Sequence, residues 1–420
     1  MDADKPAQGK NPLWTRDFTI ITLGSVVSML GATLSSFAMD LMVLDYTGST
    51  LLFAVYNILF MLPHALAPIL IGPFLDRFSR KKTIYTLDFI TAGMFALLAL
   101  LMITNWFNFF YLAVANMIFG AISGVYFVAY DSFYPLLISE GNYQKAYSVS
   151  ATLETLTMVM VPVSTFIYKT FGIVPLFVTN TLTYLIAAIM ETQIQTQEDY
   201  IALQAEKHDE QKGLRRFTAD FAEGIGYLIS EKGLLAVAIY FLFSSLTGGM
   251  TGVVTLPYFR NTYHNGEYVF MLTWGMASVA RAIGGLLHYN IRLPSQHKYR
   301  IALIVYISIS MLEGAYLFTP IPAMMVMCGL TGILGVTSYN IRISSTQKYV
   351  PDEKKGRFNG TFNTLSTVGA LLGQALAGAL SVAVGERAIV VLANAMCLIA
   401  AVVFIGGSRK EVAKIYNTQA

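Results

Sequence analysis

Gly72-Pro73-Phe74-Leu75-Asp76-Arg77-Phe78-Ser79-Arg80-Lys81-Lys82 places one acid and four bases in a short loop between two apolar runs, 51 to 73 and 83 to 104. Each run has the roughly 20 residues that a helix needs to cross a bilayer core. The same alternation of apolar run and charged loop continues in both directions. Further runs occupy about 18 to 43, 108 to 134, 147 to 171, 174 to 192, 234 to 257, 267 to 289, 300 to 319, 322 to 343, 358 to 383 and 388 to 407, so the pattern predicts twelve spans. Charged residues are 13% of the 420 and are crowded between the runs, whereas a water-soluble domain carries about 25% and wears it as a skin. Composition therefore excludes a cytosolic enzyme, a nucleic-acid binder and a disordered scaffold. The formal charge of +3 is too small to imply a polyanionic partner. Cys328 and Cys397 both fall inside apolar runs, which implies no disulfide framework.

Basic residues fix the orientation, because loops rich in Lys and Arg stay on the cytoplasmic side. With the N-terminus inside, every Lys and Arg lies in a cytoplasmic segment except Lys169, Arg260, Arg281 and Arg387. Both termini are therefore expected in the cytoplasm. The first run follows a polar start, lacks a small-residue cleavage site and is read as a retained span, with no targeting peptide. One long polar stretch, 193 to 232, separates an N-terminal six-helix bundle (1 to 192) from a C-terminal six-helix bundle with a short cytoplasmic tail (233 to 420). The second part of that stretch spaces Leu214, Phe217, Phe221, Ile225 and Leu228 three or four apart beside Arg215 and Arg216. That spacing suits an amphipathic helix on the inner membrane surface, or a soluble connecting helix. The acidic and basic turn after the fourth run, 137 to 148, is echoed after the tenth, 349 to 359, an internal repeat of the kind found in carriers that rock one half against the other.

The loop at Gly72 resembles the signature of the major facilitator superfamily, G-x-L-x-D-R-x-G-R-[RK], with Phe74 where Leu is usual and Ser79 where Gly is usual. The resemblance implies an all-α membrane fold of twelve transmembrane helices in two pseudo-symmetric six-helix bundles. It also implies a cytoplasmic gating latch built from Gly72, Asp76, Arg77 and Arg80, with Asp76 meeting the positive end of a helix in the second half and the arginines meeting acids such as Asp131. Within the superfamily the chain is most similar to bacterial macrolide-efflux-type permeases. The shared features are Tyr46-Thr47-Gly48-Ser49, Asp88, Pro135-Leu136-Leu137 and Phe217-x-x-x-Phe221-x-Glu223-Gly224. Siderophore exporters and lysophospholipid carriers share several of them.

Ionisable groups within a span cost about 2.5 to 3.5 kcal/mol on insertion scales, so each calls for a reason. Asp88 and Asp131 lie near cytoplasmic ends and read as structural. Arg342 and Lys169 lie close enough to span ends to snorkel. Asp40, Glu154, Arg281 and Glu313 are the candidate proton-coupling or substrate-binding residues. Glu154 and Arg281 each lie about 12 Å from the inner end of their spans at 1.5 Å per residue. The superfamily fold places those spans face to face, which predicts a Glu154/Arg281 pair closing the inner pathway. Asp40 is about 33 Å along the first span, near the outer mouth. A carboxylate among apolar groups can exchange protons near neutral pH, which suits Asp40 or Glu313 as a proton carrier. Spans 1, 4, 7 and 10 would line a cavity and offer Ser36, then Asn116, Tyr126 and Tyr130, then Ser244 and Ser245, then Tyr339 and Asn340. Such mixed apolar and hydroxyl surfaces suit bulky amphipathic molecules.

Pro63 and Pro68 beside His64 mark a bent helix. The five scattered histidines and two isolated cysteines support no metal site, and no glycine loop with Lys and Ser/Thr supports nucleotide hydrolysis. No cofactor is expected and the chain is not expected to be an enzyme. An ion gradient is then the energy source, each proton being worth about 2.3 kcal/mol per 100 mV. The expected function is proton-coupled efflux of amphipathic drug-like or metabolite solutes by alternating access, from a monomer in the bacterial inner membrane. The alternatives are an uptake symporter, for which Arg281 could hold an anionic substrate, and a lysolipid or siderophore carrier.

Overall fold

The computed structural model describes residues 12–75, 78–140, 142–143, 145–146, 149–150, 153, 160–198, 213–290 and 293–417. Among them every regular element is a helix, and contacts group the chain into two units, Met1–Met42 with Leu62–Gly213 and Val43–Met61 with Leu214–Ala420.

The first unit draws on α1 (Arg16–Thr47), α2 (Thr50–Leu75), α3 (Arg80–Ile103), α4 (Phe109–Phe133), α5 (Met160–Phe171) and α6 (Val174–Glu191), residues 43–61 at the end of α1 and the start of α2 grouping with the second unit. Turns between helices follow local chemistry. Gly48 and Gly172 adopt positive φ of 59° and 79° after α1 and α5, a conformation that costs glycine nothing. Asn108 caps α4 by accepting from the Phe110 N–H at 3.0 Å. Ser79 caps α3 in the same way, accepting from the Lys82 N–H at 3.1 Å with φ of −64°. The position where the superfamily signature has Gly is thus an extended N-cap here, and serine supplies the acceptor that glycine lacks. Packing is aromatic at its centre, with Phe95 of α3 stacked on Phe119 of α4 at 4.6 Å and tilted against Phe177 of α6. α1 meets α6 through Gly31, where a Cβ would collide with Asn180 and Thr183.

The second unit holds α7 (Gly213–Ser230), α8 (Lys232–Thr262), α9 (Gly266–Asn290), α10 (Lys298–Ala315), α11 (Ile321–Tyr349), α12 (Asp352–Leu380), α13 (Glu386–Ala400) and α14 (Arg409–Tyr416). α8 and α12 approach closely because small residues line both sides of their seam. Gly369 and Gly373, one helical turn apart, face the Leu242 and Leu246 carbonyls, while Gly249 faces that of Ala370. α7 docks on the start of α12 through Gly224, whose Cβ position is occupied by Thr361, and through a Glu223–Arg357 ion pair at 2.6 Å. The tail expected after the last span is a packed helix: Tyr416 of α14 is fully buried, its hydroxyl 2.9 Å from that of Tyr306.

Ten of the described helices are long and apolar enough to cross a membrane. Of the twelve runs expected, 147 to 171 is described as a helix only over Met160–Phe171. The run 358 to 383 falls within α12, which is long enough but carries Asn359, Thr361, Asn363, Thr364, Ser366, Thr367 and Gln374.

Candidate functional site

Where α8, α9, α10 and α11 meet, the second unit forms a partly open cavity of about 100 Å³. Its wall is amphipathic. α8 contributes Thr251 and Thr255, one turn apart, and α9 contributes Trp274, Ser278 and Arg281, spaced to share a face. Glu313 from α10, Tyr316 just beyond it, and Cys328 and Thr331 from α11 join the lining, with Ala277, Leu312 and Met327 as its apolar part. Arg281 and Glu313 therefore stand on one cavity, and neither forms an ion pair with any described residue. A base and an acid left apart across a polar space can be bridged by a water, by a solute carrying both charges, or by a proton that neutralises the acid. The volume accommodates a few waters or one functional group, well below the roughly 300 Å³ and more of a drug-sized pocket.

The structure thus brings together Arg281 and Glu313, which the sequence reading had assigned to different roles. Glu154, the expected partner of Arg281, lies outside the described residues, as do Asp76 and Arg77 of the loop. Gly72 lies within α2. Arg80 donates from Nη1 to the Ser132 carbonyl at 3.0 Å, next to an exposed Asp131. Asp40 is half-buried on α1, its carboxylate without an ion pair or hydrogen bond among the described residues. Ser36 is exposed and Asn116 buried, while Tyr126 and Tyr130 stack at 5.9 Å on α4. Ser244, Ser245 and Asn340 are half-buried and Tyr339 is exposed, and none of them lines the cavity.

Three features escaped the sequence reading. Glu198, in the polar stretch between the two six-helix sets, accepts from the Arg80 N–H at 2.7 Å and from the Ser79 hydroxyl, so it sits on the N-terminus of α3 beside the basic loop. Arg342, assigned to snorkelling, is held among Phe362, Phe241 and Tyr339 with its charge 4.6, 5.0 and 5.5 Å from the ring centres, and its Nε is buried without a hydrogen-bond partner. Arg260, read only as an outer-loop charge, bridges Asp45 and the buried Glu267, the latter at 3.2 Å. Only the i, i+7 spacing of Arg260 and Glu267 across a turn was available in sequence, and it names no partner.

Comparison with known proteins agrees with this architecture. The sequence profile of the Major Facilitator Superfamily matches residues 21–340 and 297–419. The MFS-type transporter YkuC of Bacillus subtilis is 23% identical over 290 residues, covering 66% of this chain and 66% of that protein, just under two thirds of its length. Macrolide efflux protein A of Streptococcus pyogenes is 23% identical over 297 residues, covering 69% and 70%. Among solved structures, a bacterial homologue of the iron transporter ferroportin, in its inward-facing state, superposes with a TM-score of 0.68 at 15% identity over 96% of this chain and 99% of its own.

Proposed function

The chain belongs to the Major Facilitator Superfamily of membrane transporters and is not an enzyme, and from that premise we propose that it couples the entry of protons to the efflux of amphipathic drug-like or metabolite solutes. In this reading it forms twelve spans in two six-helix bundles with both termini in the cytoplasm of a bacterium, resides in the inner membrane and works as a monomer. The observation that carries the coupling is the placement of Glu313 and Arg281 on one small cavity within membrane helices. Proton arrival on Glu313 changes the charge facing Arg281 by one unit, and in a low-dielectric site such a change is large enough to bias a two-state element. The solute itself would be met by Asp40, Glu154 and the hydroxyl and aromatic groups of spans 1, 4, 7 and 10. The likeness to macrolide efflux protein A supports the direction and the solute class.

A second reading, uptake of an anionic solute, rests on Arg281 lacking an ion-pair partner among the described residues. Cells overproducing the wild-type chain are expected to accumulate less of a macrolide and of a fluorescent lipophilic cation than empty cells, and to lose that difference with a protonophore or with Glu313→Gln. Accumulation equal to that of empty cells refutes the efflux reading, and growth restored on one anionic solute supports the second.

A further inference from the structure

The first unit contains a second set of buried acids. Asp88 lies on α3 and Glu191 ends α6, and these two helices pack against each other. Asp88 is 1% exposed and Glu191 fully buried. Both carboxylate oxygens of Glu191 and Oδ2 of Asp88 are enclosed without a hydrogen-bond partner, and so is the hydroxyl of Tyr126 on α4, which lies within electrostatic reach of both acids. α1 closes the remaining side: a Cβ on Gly24 would stand 3.3 Å from Glu191 Oε1, so the missing side chain at this position lets the helix come up against the carboxylate.

The other titratable groups facing the pair are Tyr130 of α4 and Tyr184 of α6, and α1 adds Ser25 beside the tyrosines. Two bases at the start of α3 are engaged elsewhere, Lys81 Nζ donating to the Ile194 carbonyl at 3.0 Å and Arg80 Nη1 to that of Ser132 at 3.0 Å. Neither acid forms a salt bridge with a described residue. Two carboxylates in that situation cannot both be ionised, because each lacks donors and repels the other. One positive equivalent is required. The unpartnered oxygens here are Glu191 Oε1 and Oε2, Asp88 Oδ2 and Tyr126 Oη, fewer than the six or more that a hard divalent ion takes. A proton needs only one of them.

We propose that Asp88 and Glu191 form a buried acid pair that holds a proton on one of its carboxylates, distinct from the Arg281–Glu313 cavity. Release breaks the O–H bond and passes the proton to water, leaving a dianion that the closed site cannot hold, so α1, α3 and α6 must shift to admit water. The pair's occupancy by a proton stands independently of proton-coupled efflux, while its role in transport rests on that reading.

The test is an infrared pH titration of the full chain in lipid nanodiscs, on an Asp40→Asn/Glu313→Gln background so that those two acids are silent. A carboxylic-acid carbonyl band is expected at neutral pH, sensitive to deuterium exchange, and is expected to be lost or displaced by Asp88→Asn and by Glu191→Gln. Absence of any such band in the background protein overturns the proposal even if neither further variant folds. A band indifferent to both substitutions also overturns it. So does calorimetric binding of calcium, magnesium or sodium that Glu191→Gln abolishes, which would put a metal ion in the proton's place. Loss of drug efflux in Glu313→Gln with the band intact separates failure of the coupling reading from failure of this one.

Discussion

Replacing Gly373 by alanine is expected to weaken the second unit, although alanine is the better helix former. A Cβ at this position would fall on the carbonyl oxygen of Leu246, with the Leu246 carbonyl carbon at 2.9 Å and the Met250 nitrogen at 3.0 Å. All three are backbone atoms of α8, so no side-chain rotation relieves the contact. Carbon contacts are favourable from about 3.5 Å and the Leu246 oxygen is the nearest atom of all, so α8 and α12 must part by about 1 Å, and the neighbouring approaches of Gly249 and Gly369 loosen with them. Overpacking of this kind costs about 1 to 3 kcal/mol. Gly356, on the same helix, has nothing within 4 Å of its Cβ position. There Gly→Ala is expected to be neutral or stabilising by up to about 1 kcal/mol. The contrast between the two variants is therefore about 1 to 4 kcal/mol, taking the overpacking and propensity figures together. Thermal unfolding of both variants in one detergent reads it directly, with Gly373→Ala melting below wild type and Gly356→Ala at or above it. A Gly373→Ala protein as stable as Gly356→Ala refutes the close-packed seam.

Tyr416→Phe removes the hydroxyl partner of the buried Tyr306 and is expected to cost about 1 to 3 kcal/mol through the orphaned hydroxyl; an unchanged melting temperature would mean that α14 is not part of the core. Glu223→Ala and Arg357→Ala break an ion pair whose side chains are 56% and 43% exposed, so each is expected to shift stability by less than about 1 kcal/mol and to do less as salt rises. Gly224→Leu, by contrast, drives a side chain into Thr361 and is expected to undock α7, seen as faster proteolysis at the start of that helix. Equal proteolysis in the charge variants would show that the ion pair, not the close approach, holds α7.

The helices were legible in the sequence because apolar runs bounded by charge are the strongest signal a membrane chain carries. α12 shows where that signal weakens: its glycines and hydroxyl and amide side chains serve the seam with α8, so it is a long helix without being an apolar one. The loop at Gly72 was legible as a motif, yet the capping role of Ser79 needed the backbone and the approach of Glu198 from the polar stretch that begins at 193. At the candidate site, the charges of Arg281 and Glu313 stood out, but their association did not. Rise per residue gives the height of a side chain along its helix and says nothing of which way it points, so equal heights suggested Glu154 while the geometry adds Glu313. Glu191 was passed over because it closes an apolar run, where an acid usually meets water. Its burial depends on Gly24 in a helix far away in sequence. Arg342 was misjudged for the same reason, since its aromatic enclosure is assembled from three helices.

The most direct test of the coupling account is proton flux in proteoliposomes carrying the purified chain, with a lumenal pH dye and a macrolide or lipophilic cation added against a proton gradient. Solute-dependent proton movement is expected in the wild type. In Glu313→Gln it is expected to vanish while solute exchange without a gradient persists, because only the protonation step has been removed. Undiminished solute-driven proton flux in Glu313→Gln would contradict the assignment of Glu313 and its cavity as the coupling site.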